Sequence, residues 1–401
     1  MSRSPSSIQS PNVAHEAEAT VEAARAVFTD QFENPPDPVA LHVAYQQAPI
    51  AIQADHTHYS DGYALFGALP YGIAVAVRPT EGPTRVALAS EPARYAVPPD
   101  AQFRSEDPRA IRILKALMDT EALRDHPADI AVATSVPDVC IDAHAAALTQ
   151  ATHHALHAAY HGSPDVAPPV ASGTAAIAEA LGRPYSEGYL LALAPEAIRD
   201  GALAPFVLAD TTTYETIPVP ADLHDALQWG LFDPDAQPSH SNEQHHSWKQ
   251  KATQALQALR TTSEFATLSS FSALEHRALD TALDQVGDRH RATVRHLVTE
   301  NRRVQKHVMA LRHGDGQMIG ALLHMTHASL QNAWQGTTAA ANFLVEQAER
   351  FTHDGLYGAG MTGRDGYVLS IGRAPAYAAH IRTVHERYEA AFHHAPTFVA
   401  L

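Results

Sequence analysis

The sequence predicts a protein of mixed helices and strands, built as two domains or as one elaborate α/β unit. Its 401 residues are 45% apolar, which is enough to bury a large core. β-Branched runs bounded by proline and glycine occur mainly between residues 39 and 89, whereas residues 246–350 are mostly helical in pattern. The chain thus carries both strand patterns and helix patterns.

The first elements follow a polar start. Residues 1–15 begin with "MSRSPSSIQSPN", and we expect them to form a disordered tail. In "HEAEATVEAARAVFTDQF", Val21, Ala24, Val27 and Phe28 recur at helical spacing and predict an amphipathic helix. The runs "VALHVAY", "YGIAVAV" and "RVALA" then predict strands of an antiparallel sheet.

The later elements alternate between both types of structure. "ADIAVATSVP" predicts a strand that leads into the Ala-rich helix "DVCIDAHAAALTQATHHALHAAYHG". "FVLADTTTYETIPVP", from residue 206, predicts a second strand-and-turn block. After the long helical region, "GLYGAGMTGRDGYVLSI" predicts a glycine-rich turn running into a strand, and "AYAAHIRTVHERYEAAF" predicts a last helix.

Charge and cysteine content exclude several classes of function. The formal net charge is −16 and lysine occurs at four positions, so we expect no nucleic-acid and no membrane partner. No apolar run approaches the length of a membrane span, and the start lacks the features of a signal peptide. The single cysteine, Cys140, cannot form an internal disulfide, which fits a reducing, cytoplasmic location.

Four stretches carry a family resemblance. "IAIQADHTHYSDG" is similar to the sugar-site motif of galactokinases, R-V-N-L-I-G-E-H-T-D-Y-N-G-G, in the GHMP family of small-molecule kinases, with Asp55, His56, Thr57, Tyr59 and Gly62 in register. Three later stretches resemble further motifs of the family in the right order: "RHLVTENRRVQKHVMALRHGD", "IGALLHMTHASLQNAW" and "YGAGMTGRDGYVLSI". The resemblance covers nearly the whole chain.

The resemblance implies an α+β class and a two-domain GHMP-kinase-like fold with a ligand cleft between the domains. It places an N-terminal GHMP-like domain at residues 16–205 and a C-terminal one at residues 206–401. It also implies a set of ligand-binding residues, taken from the matching motifs: Asp55, His56, His58, Tyr59, Leu191 and Thr362.

The departures from the family pattern fall on positions that carry chemistry. The family's first-motif arginine falls on Pro49, and the acid that holds sugar hydroxyls falls on His58. The catalytic aspartate, which follows C-G-I-M in the family, falls on Leu191 of "EGYLLALA", and leucine cannot accept a proton. The family's sugar-contacting tyrosine falls on Ser241.

The phosphate loop departs further. The family reads V-P-L-G-G-G-L-S-S-S-A where this chain reads "VPDVCIDAHAA", so that Val139, Cys140 and Ile141 replace the glycines. Glycines at a helix N-terminus let backbone N–H groups approach an anion closely. Asp138 and Asp142 add carboxylates, which we expect to repel a triphosphate.

These departures predict a galactokinase-like protein that has lost phosphoryl transfer, a non-catalytic ligand-binding or regulatory pseudoenzyme that needs no cofactor. Its expected partners are a small molecule, a sugar or a less polar analogue, and a regulatory protein. The alternatives are an active sugar kinase with relocated catalytic groups, an enzyme of different chemistry in a more apolar cleft, and a structural subunit with a vestigial cleft.

Three other patterns involve histidine or cysteine side chains. His153, His157 and His161 recur every four residues on one helix face, a spacing that suits a metal, but the chain has 26 histidines, so we assign no metal site. His56 and His58 alternate as on a strand, where a sugar-site role is preferred to a metal. Cys140 lies between two aspartates that oppose thiolate formation, which favours a packed side chain.

Overall fold

A computed structural model describes residues 12–32, 40–53, 61–98, 104, 106–120, 124–138, 140–199, 202–221, 227–234, 242–362 and 366–401. The α-helices of this part of the chain are α1 Val13–Gln31, α2 Arg109–Met118, α3 Ile141–His161, α4 Val170–Leu181, α5 Glu187–Leu191, α6 Asn242–Arg260, α7 Leu279–Gln285, α8 Asp288–Arg312, α9 Gly316–Ser329, α10 Ala339–Glu349 and α11 Ala376–Phe392.

The strands are β1 His42–Gln53, β2 Tyr63–Pro79, β3 Thr84–Leu88, β4 Arg94–Val97, β5 Ala128–Thr134, β6 Ile198–Arg199, β7 Ala202–Leu203, β8 Phe206–Asp210, β9 Glu215–Pro218, β10 Leu227–Asp233, β11 Gly358–Met361, β12 Val368–Arg373 and β13 Thr397–Ala400. This mixture of helices and sheets confirms the α+β prediction. No described helix is both long enough and apolar enough to span a bilayer.

The chain divides into two compact units. The first unit comprises residues 12–50 and 68–203 within the described ranges, and the second comprises residues 51–67 and 204–401 within them. The boundary therefore falls inside β1 and β2, so that the segment around residues 51–67 belongs with the later part of the chain. The predicted division at residues 205 and 206 stays a prediction.

In the first unit, helix α1 covers a sheet. Asn12 caps α1 with its side-chain oxygen, which accepts from the backbone N–H groups of Ala14 (3.0 Å) and His15 (3.3 Å). One face of α1 carries Ala24 and Phe28, which pack on sheet alanines of β2, β3 and β5. Small side chains on the sheet leave room for the phenyl ring, so the helix lies close to the strands.

The sheet of the first unit is mixed rather than purely antiparallel. β2 pairs antiparallel with β5 over residues 73–79, and β4 pairs antiparallel with β3. β3 pairs parallel with β5, contrary to the antiparallel sheet expected from the sequence. The connection between β3 and β5 contains helix α2, and a crossover of this length permits parallel pairing.

The second unit carries its own sheet and a helical layer. β10 pairs antiparallel with β12 and β13, and β11 completes the order β11-β12-β10-β13. β8 and β9 form the predicted hairpin, and β8 pairs with residues 63–67 of β2. Helices α6, α7, α8, α10 and α11 contribute to an apolar core that includes Phe232, Trp334 and Tyr388.

Helix α9 lies directly on strand β11. A Cβ atom on Gly358 would be 2.2 Å from the backbone oxygen of Gly320, and one on Gly360 would be 2.6 Å from that of Leu323. These glycines therefore allow a close approach of helix and strand backbones. This packing explains part of the glycine cluster that the sequence presented as a turn.

Candidate ligand-binding site

Most of the opening motif lies outside the described residues. This holds for four of the six predicted ligand-binding residues: Asp55, His56, His58 and Tyr59. The described chain ends at Gln53 on one side of the motif and resumes at Asp61 on the other. Both flanks belong to the second unit, and their contacts define how the motif is anchored.

The carboxyl-terminal flank is fixed by hydroxyl groups. Asp61 has a φ of 55°, and its backbone oxygen accepts from Thr212 Oγ1 at 3.1 Å and from Ser272 Oγ at 3.0 Å. Gly62 N donates to Thr211 Oγ1 at 3.0 Å, and Gly62 O accepts from Thr211 N at 3.1 Å. With the bond from Thr211 Oγ1 to Gly62 O at 2.9 Å, five hydrogen bonds hold the chain where it turns out of the motif into β2.

The amino-terminal flank ends in a buried polar network. Gln53 Nε2 donates to Thr326 Oγ1 at 2.9 Å and lies 3.4 Å from Glu300 Oε2. Glu300 also accepts from Arg303 Nε at 2.7 Å, and His307 Nδ1 contacts Gln53 Oε1. All five side chains are buried. The network fixes the orientation of the last described side chain before the motif.

The protonation state of His307 follows from this network. Burial lowers the pKa of His307 to about 3, so the imidazole is neutral at pH 7. Its Nδ1 faces an amide oxygen, which can only accept, and Nδ1 therefore carries the proton and donates to Gln53. The Glu300 carboxyl group is paired with the adjacent Arg303 guanidinium.

Thr362 is buried and engaged with the backbone of β1. Its side-chain hydroxyl donates to the carbonyl oxygen of Ala51, and its N–H donates to Tyr367 O at 3.0 Å. Only 5% of the residue is exposed. With its proton committed to Ala51, the hydroxyl can offer a ligand only an acceptor oxygen.

Leu191 closes helix α5 in the first unit and is buried, with 3% of its surface exposed. Its backbone oxygen accepts from Ala194 N at 2.9 Å. It lies among other buried apolar residues, Tyr189, Leu190 and Leu193. A side chain of this kind supplies contact area and no proton chemistry. Leu191 and Thr362 belong to different units, and each is described within its own.

Groups at the start of helix α3 form hydrogen bonds with other groups of the same chain. Cys140, the buried N-cap residue, donates its backbone N–H to Pro137 O at 2.9 Å. In the first turn the buried Asp142 carboxylate accepts from Arg183 Nη2 at 3.0 Å. The Asp142 backbone oxygen accepts from the hydroxyl of Tyr185 at 2.7 Å. The expected repulsion of anions by Asp142 is therefore offset, because Arg183 compensates its charge.

Comparison with known proteins agrees with this architecture. The chain is 25% identical to the galactokinase of Thermotoga maritima over 331 residues, which are 78% of this chain and 84% of that protein. It superposes on Lactococcus lactis galactokinase complexed with galactose with a TM-score of 0.78 at 18% identity, covering 96% of this chain and 97% of the other. The chain is galactokinase-like, with the GHMP kinase fold.

More distant similarities point the same way. Streptomyces coelicolor galactokinase is 35% identical over 122 residues, a segment that spans 29% of this chain and 31% of that protein. The mevalonate kinase of Methanococcus jannaschii superposes with a TM-score of 0.59 at 9% identity, covering 91% of this chain and 98% of the other. No protein-family model matches the galactokinase-like chain.

The histidine row of the galactokinase-like chain is a packed cluster. The ring centroids of His153 and His157 are 6.5 Å apart, and those of His157 and His161 are 4.7 Å apart. His157 Nδ1 contacts the carbonyl oxygen of Ser163 at 2.6 Å. Within the described ranges, no group of three His, Cys, Asp or Glu side chains is placed to hold a metal ion.

The sequence did not reveal the polar network beside Gln53 or the partner of Asp142. A signal for the first was present, since Glu300, Arg303 and His307 recur at a spacing of three and four residues and share one face of α8. Three ionisable side chains on a face that is otherwise buried indicate mutual pairing. Arg183 follows Gly182, the C-cap of α4, and its sequence position gave no such signal.

Proposed function

We propose that this galactokinase-like protein binds a small molecule, a sugar or a less hydroxylated analogue, and does not transfer phosphoryl groups. The observation that carries the proposal is the burial of Leu191 at the position where the resemblance places the catalytic aspartate. A leucine can neither orient a sugar hydroxyl nor take its proton. Beside a ligand it would offer apolar contact and no polar group.

The start of helix α3 supports the same proposal. Anion loops of kinases present backbone N–H groups to the phosphates. Here the Cys140 N–H donates to Pro137 O, and the first turn holds the buried pair of Asp142 and Arg183. The guanidinium is committed to a carboxylate of the chain, so phosphate would have to compete with a buried partner.

The position of the family's first-motif arginine adds a third argument. Pro49 lies in strand β1 and is buried. Phosphoryl transfer depends on positioning and on stabilisation of phosphate charge. The chain lacks an arginine and an acid at the positions that the family motifs assign to those tasks.

The alternative is an active sugar kinase, which would phosphorylate galactose or a related sugar with ATP through relocated groups. The similarity to galactokinases over 84% of the Thermotoga maritima protein favours it. The proposal also includes a regulatory protein partner, which rests on the pseudoenzyme interpretation. It further includes a cytoplasmic location, which rests on the amino-acid composition.

Thermal-shift measurements test ligand binding. Galactose is compared with 2-deoxygalactose, 6-deoxygalactose and methyl galactosides at equal concentrations. Each unpaired buried hydroxyl costs about 1 to 3 kcal/mol, so a less hydroxylated compound should stabilise the protein more than galactose does. Asp55→Ala should abolish the shift, whereas Glu81→Ala, in an exposed loop, should leave it intact.

Two results would contradict the proposed ligand. One is that millimolar galactose gives the largest shift of the panel. The other is that Asp55→Ala leaves the shift of the best compound unchanged. Titration calorimetry with magnesium and ATP completes the test: a micromolar dissociation constant, equivalent to about −8 kcal/mol, would support the kinase alternative instead.

A further inference from the structure

A cavity in the first unit is lined, within the described part of the chain, by none of the residues proposed for the sugar site. It measures about 370 Å³ and is bounded by the end of β3, the start of α2, β5 and the start of α3. Leu88 and Val132 contribute apolar wall, while Arg109, Asp138 and His144 contribute polar groups. All of its lining residues belong to this unit.

The polar group of greatest interest is His144, because its Nδ1 atom is buried without a hydrogen bond. The residue is 5% exposed, and its Nδ1 has no partner among the described residues. Burial and the nearby Arg109 guanidinium lower the pKa of His144 to about 3, so the ring is neutral at pH 7. A buried polar atom of this kind lacks the partner that such atoms normally have, and a ligand in the cavity could supply one.

Arg109 lies at the same cavity beside Asp138. The two terminal nitrogens of its guanidinium are each 3.4 Å from the backbone oxygen of Asp138, and Nη2 is 3.7 Å from the Asp138 carboxylate. These contacts are long for hydrogen bonds of a guanidinium. The Asp138 side chain is fully exposed, so it can turn into solvent when another anion takes its place.

We propose that this cavity binds a small monocarboxylate with an apolar body. The carboxylate replaces the Asp138 side chain at the Arg109 guanidinium, whose planar fork matches two carboxylate oxygens. One of these oxygens accepts the N–H of the neutral His144 ring. The apolar body of the ligand packs on Leu88 and Val132.

The charges that line the cavity favour a ligand with one negative charge over a dianion or a neutral ligand. Arg109 is its single permanent cation among the described lining residues, and Asp138 lies at its rim. A phosphate dianion would leave one charge without a cation and would face Asp138, whereas a neutral amide would bring no negative charge to the guanidinium. Neutral His144 adds one donor and no further charge.

Titration of the whole chain at pH 7 tests the proposal. The probes are benzoate and hexanoate as carboxylates, benzamide as the neutral isostere of benzoate, inorganic phosphate and adenosine. We expect at least one carboxylate to bind at least tenfold more tightly than benzamide, phosphate and adenosine. Arg109→Gln should weaken its binding at least tenfold, and Asp138→Asn should tighten it, because a competing anion is removed.

Controls separate a lost contact from a lost fold. Arg124→Gln, which alters an exposed pair with Asp119, should leave binding unchanged. The histidine ¹⁵N resonances of His144 should shift when the carboxylate is added, and this readout does not depend on any substitution. His144→Asn should retain more affinity than His144→Phe, since only the amide can still donate.

Four results would overturn the proposal: equal affinity for benzoate and benzamide, tighter binding of adenosine or phosphate than of either carboxylate, unchanged carboxylate affinity in folded Arg109→Gln, or no saturable binding of either carboxylate. Each result bears on this cavity alone. The proposed loss of phosphoryl transfer is measured separately, by turnover.

Discussion

Arg183 Nη2 lies 3.0 Å from Asp142 Oδ1, and both side chains are buried, with 8% and 1% exposed. This ion pair joins the loop after α4 to the first turn of α3. The Asp142 carboxylate is buried away from solvent, and the Arg183 guanidinium balances its charge. The start of α3, which in the resemblance corresponds to the phosphate loop, is thus held by a contact internal to the first unit.

Arg183→Met should strongly destabilise the protein. The substitution leaves the Asp142 carboxylate buried without its partner, and such changes cost about 3 to 5 kcal/mol. Urea denaturation measures the loss. The exposed pair of Arg124 and Asp119 provides the control, for which Arg124→Met should cost less than about 1 kcal/mol. Equal effects of the two substitutions would contradict a structural role for the buried pair.

Buried histidines should make stability fall as the pH is lowered. Burial lowers the pKa of His144 and His307 to about 3, whereas the same residues titrate near 6.5 when unfolded. The unfolded chain therefore binds more protons below pH 6.5, and folding loses stability as the pH falls from about 6.5 toward 3. Each imidazole should contribute about 1 kcal/mol of loss between pH 7.5 and 5.5.

Denaturation curves at these two pH values measure how much the free energy of unfolding falls as the pH is lowered. This pH dependence should be shallower in His307→Leu than in the wild type. His15 is exposed on α1 and serves as the matched site. His15→Leu should leave the pH dependence unchanged. An identical pH dependence in wild type and His307→Leu would mean that His307 is not held neutral in the folded protein.

Gly358→Ala should disrupt the packing of β11 on α9. The added methyl group would be 2.2 Å from the backbone oxygen of Gly320, and backbone cannot move aside as a side chain can. We expect a loss of about 3 kcal/mol or more. The control is Gly287→Ala, where nothing lies within 4 Å of the added atom and a change below about 1 kcal/mol is expected. Thermal unfolding of both variants measures the two losses of stability, and equal losses would contradict the close packing of β11 on α9.

Elements with strong periodicity were predictable from the sequence. Helix α1 needs only the spacing of Val21, Ala24 and Phe28, which is a local signal, whereas its cap Asn12 lies in the stretch that was expected to be a tail. Strand β10 was not foreseen, because "LQWGLFD" mixes glutamine, glycine and aspartate with apolar residues. Tertiary packing decides its structure: Ser370 of β12 donates to Gly230 O at 3.1 Å and contacts the Tyr377 hydroxyl at 2.8 Å.

The site was predictable as a set of motifs but not as a set of contacts. Family motifs identified the segments around Leu191 and Thr362. They did not reveal that the Thr362 hydroxyl is committed to Ala51 O, because that bond joins residues 311 positions apart. The same holds for Gln53 and His307, which are 254 positions apart. Partners this distant in the chain leave no local pattern.

Replacing Leu191 with aspartate should not create a kinase. The side chain is buried, and an aspartate there would lack the arginine and the glycine loop that the family also uses. Burying a carboxylate without a partner should instead lower the unfolding free energy by several kcal/mol, as seen in urea denaturation. The control is Leu191→Asn, because asparagine has nearly the same volume as aspartate but carries no charge. The effect of Leu191→Asn gives the cost of the lost apolar contact, and the further loss in Leu191→Asp gives the cost of the charge.

The absence of phosphoryl transfer is the central claim, and turnover tests it most directly. Purified protein is incubated with ATP, magnesium and each of a panel of hexoses that includes galactose, and ADP release is followed in a coupled assay beside an active galactokinase. We predict no sugar-dependent ADP release above background. Turnover within the range of about 1 to 100 per second that is typical of kinases, with any sugar of the panel, would contradict the account.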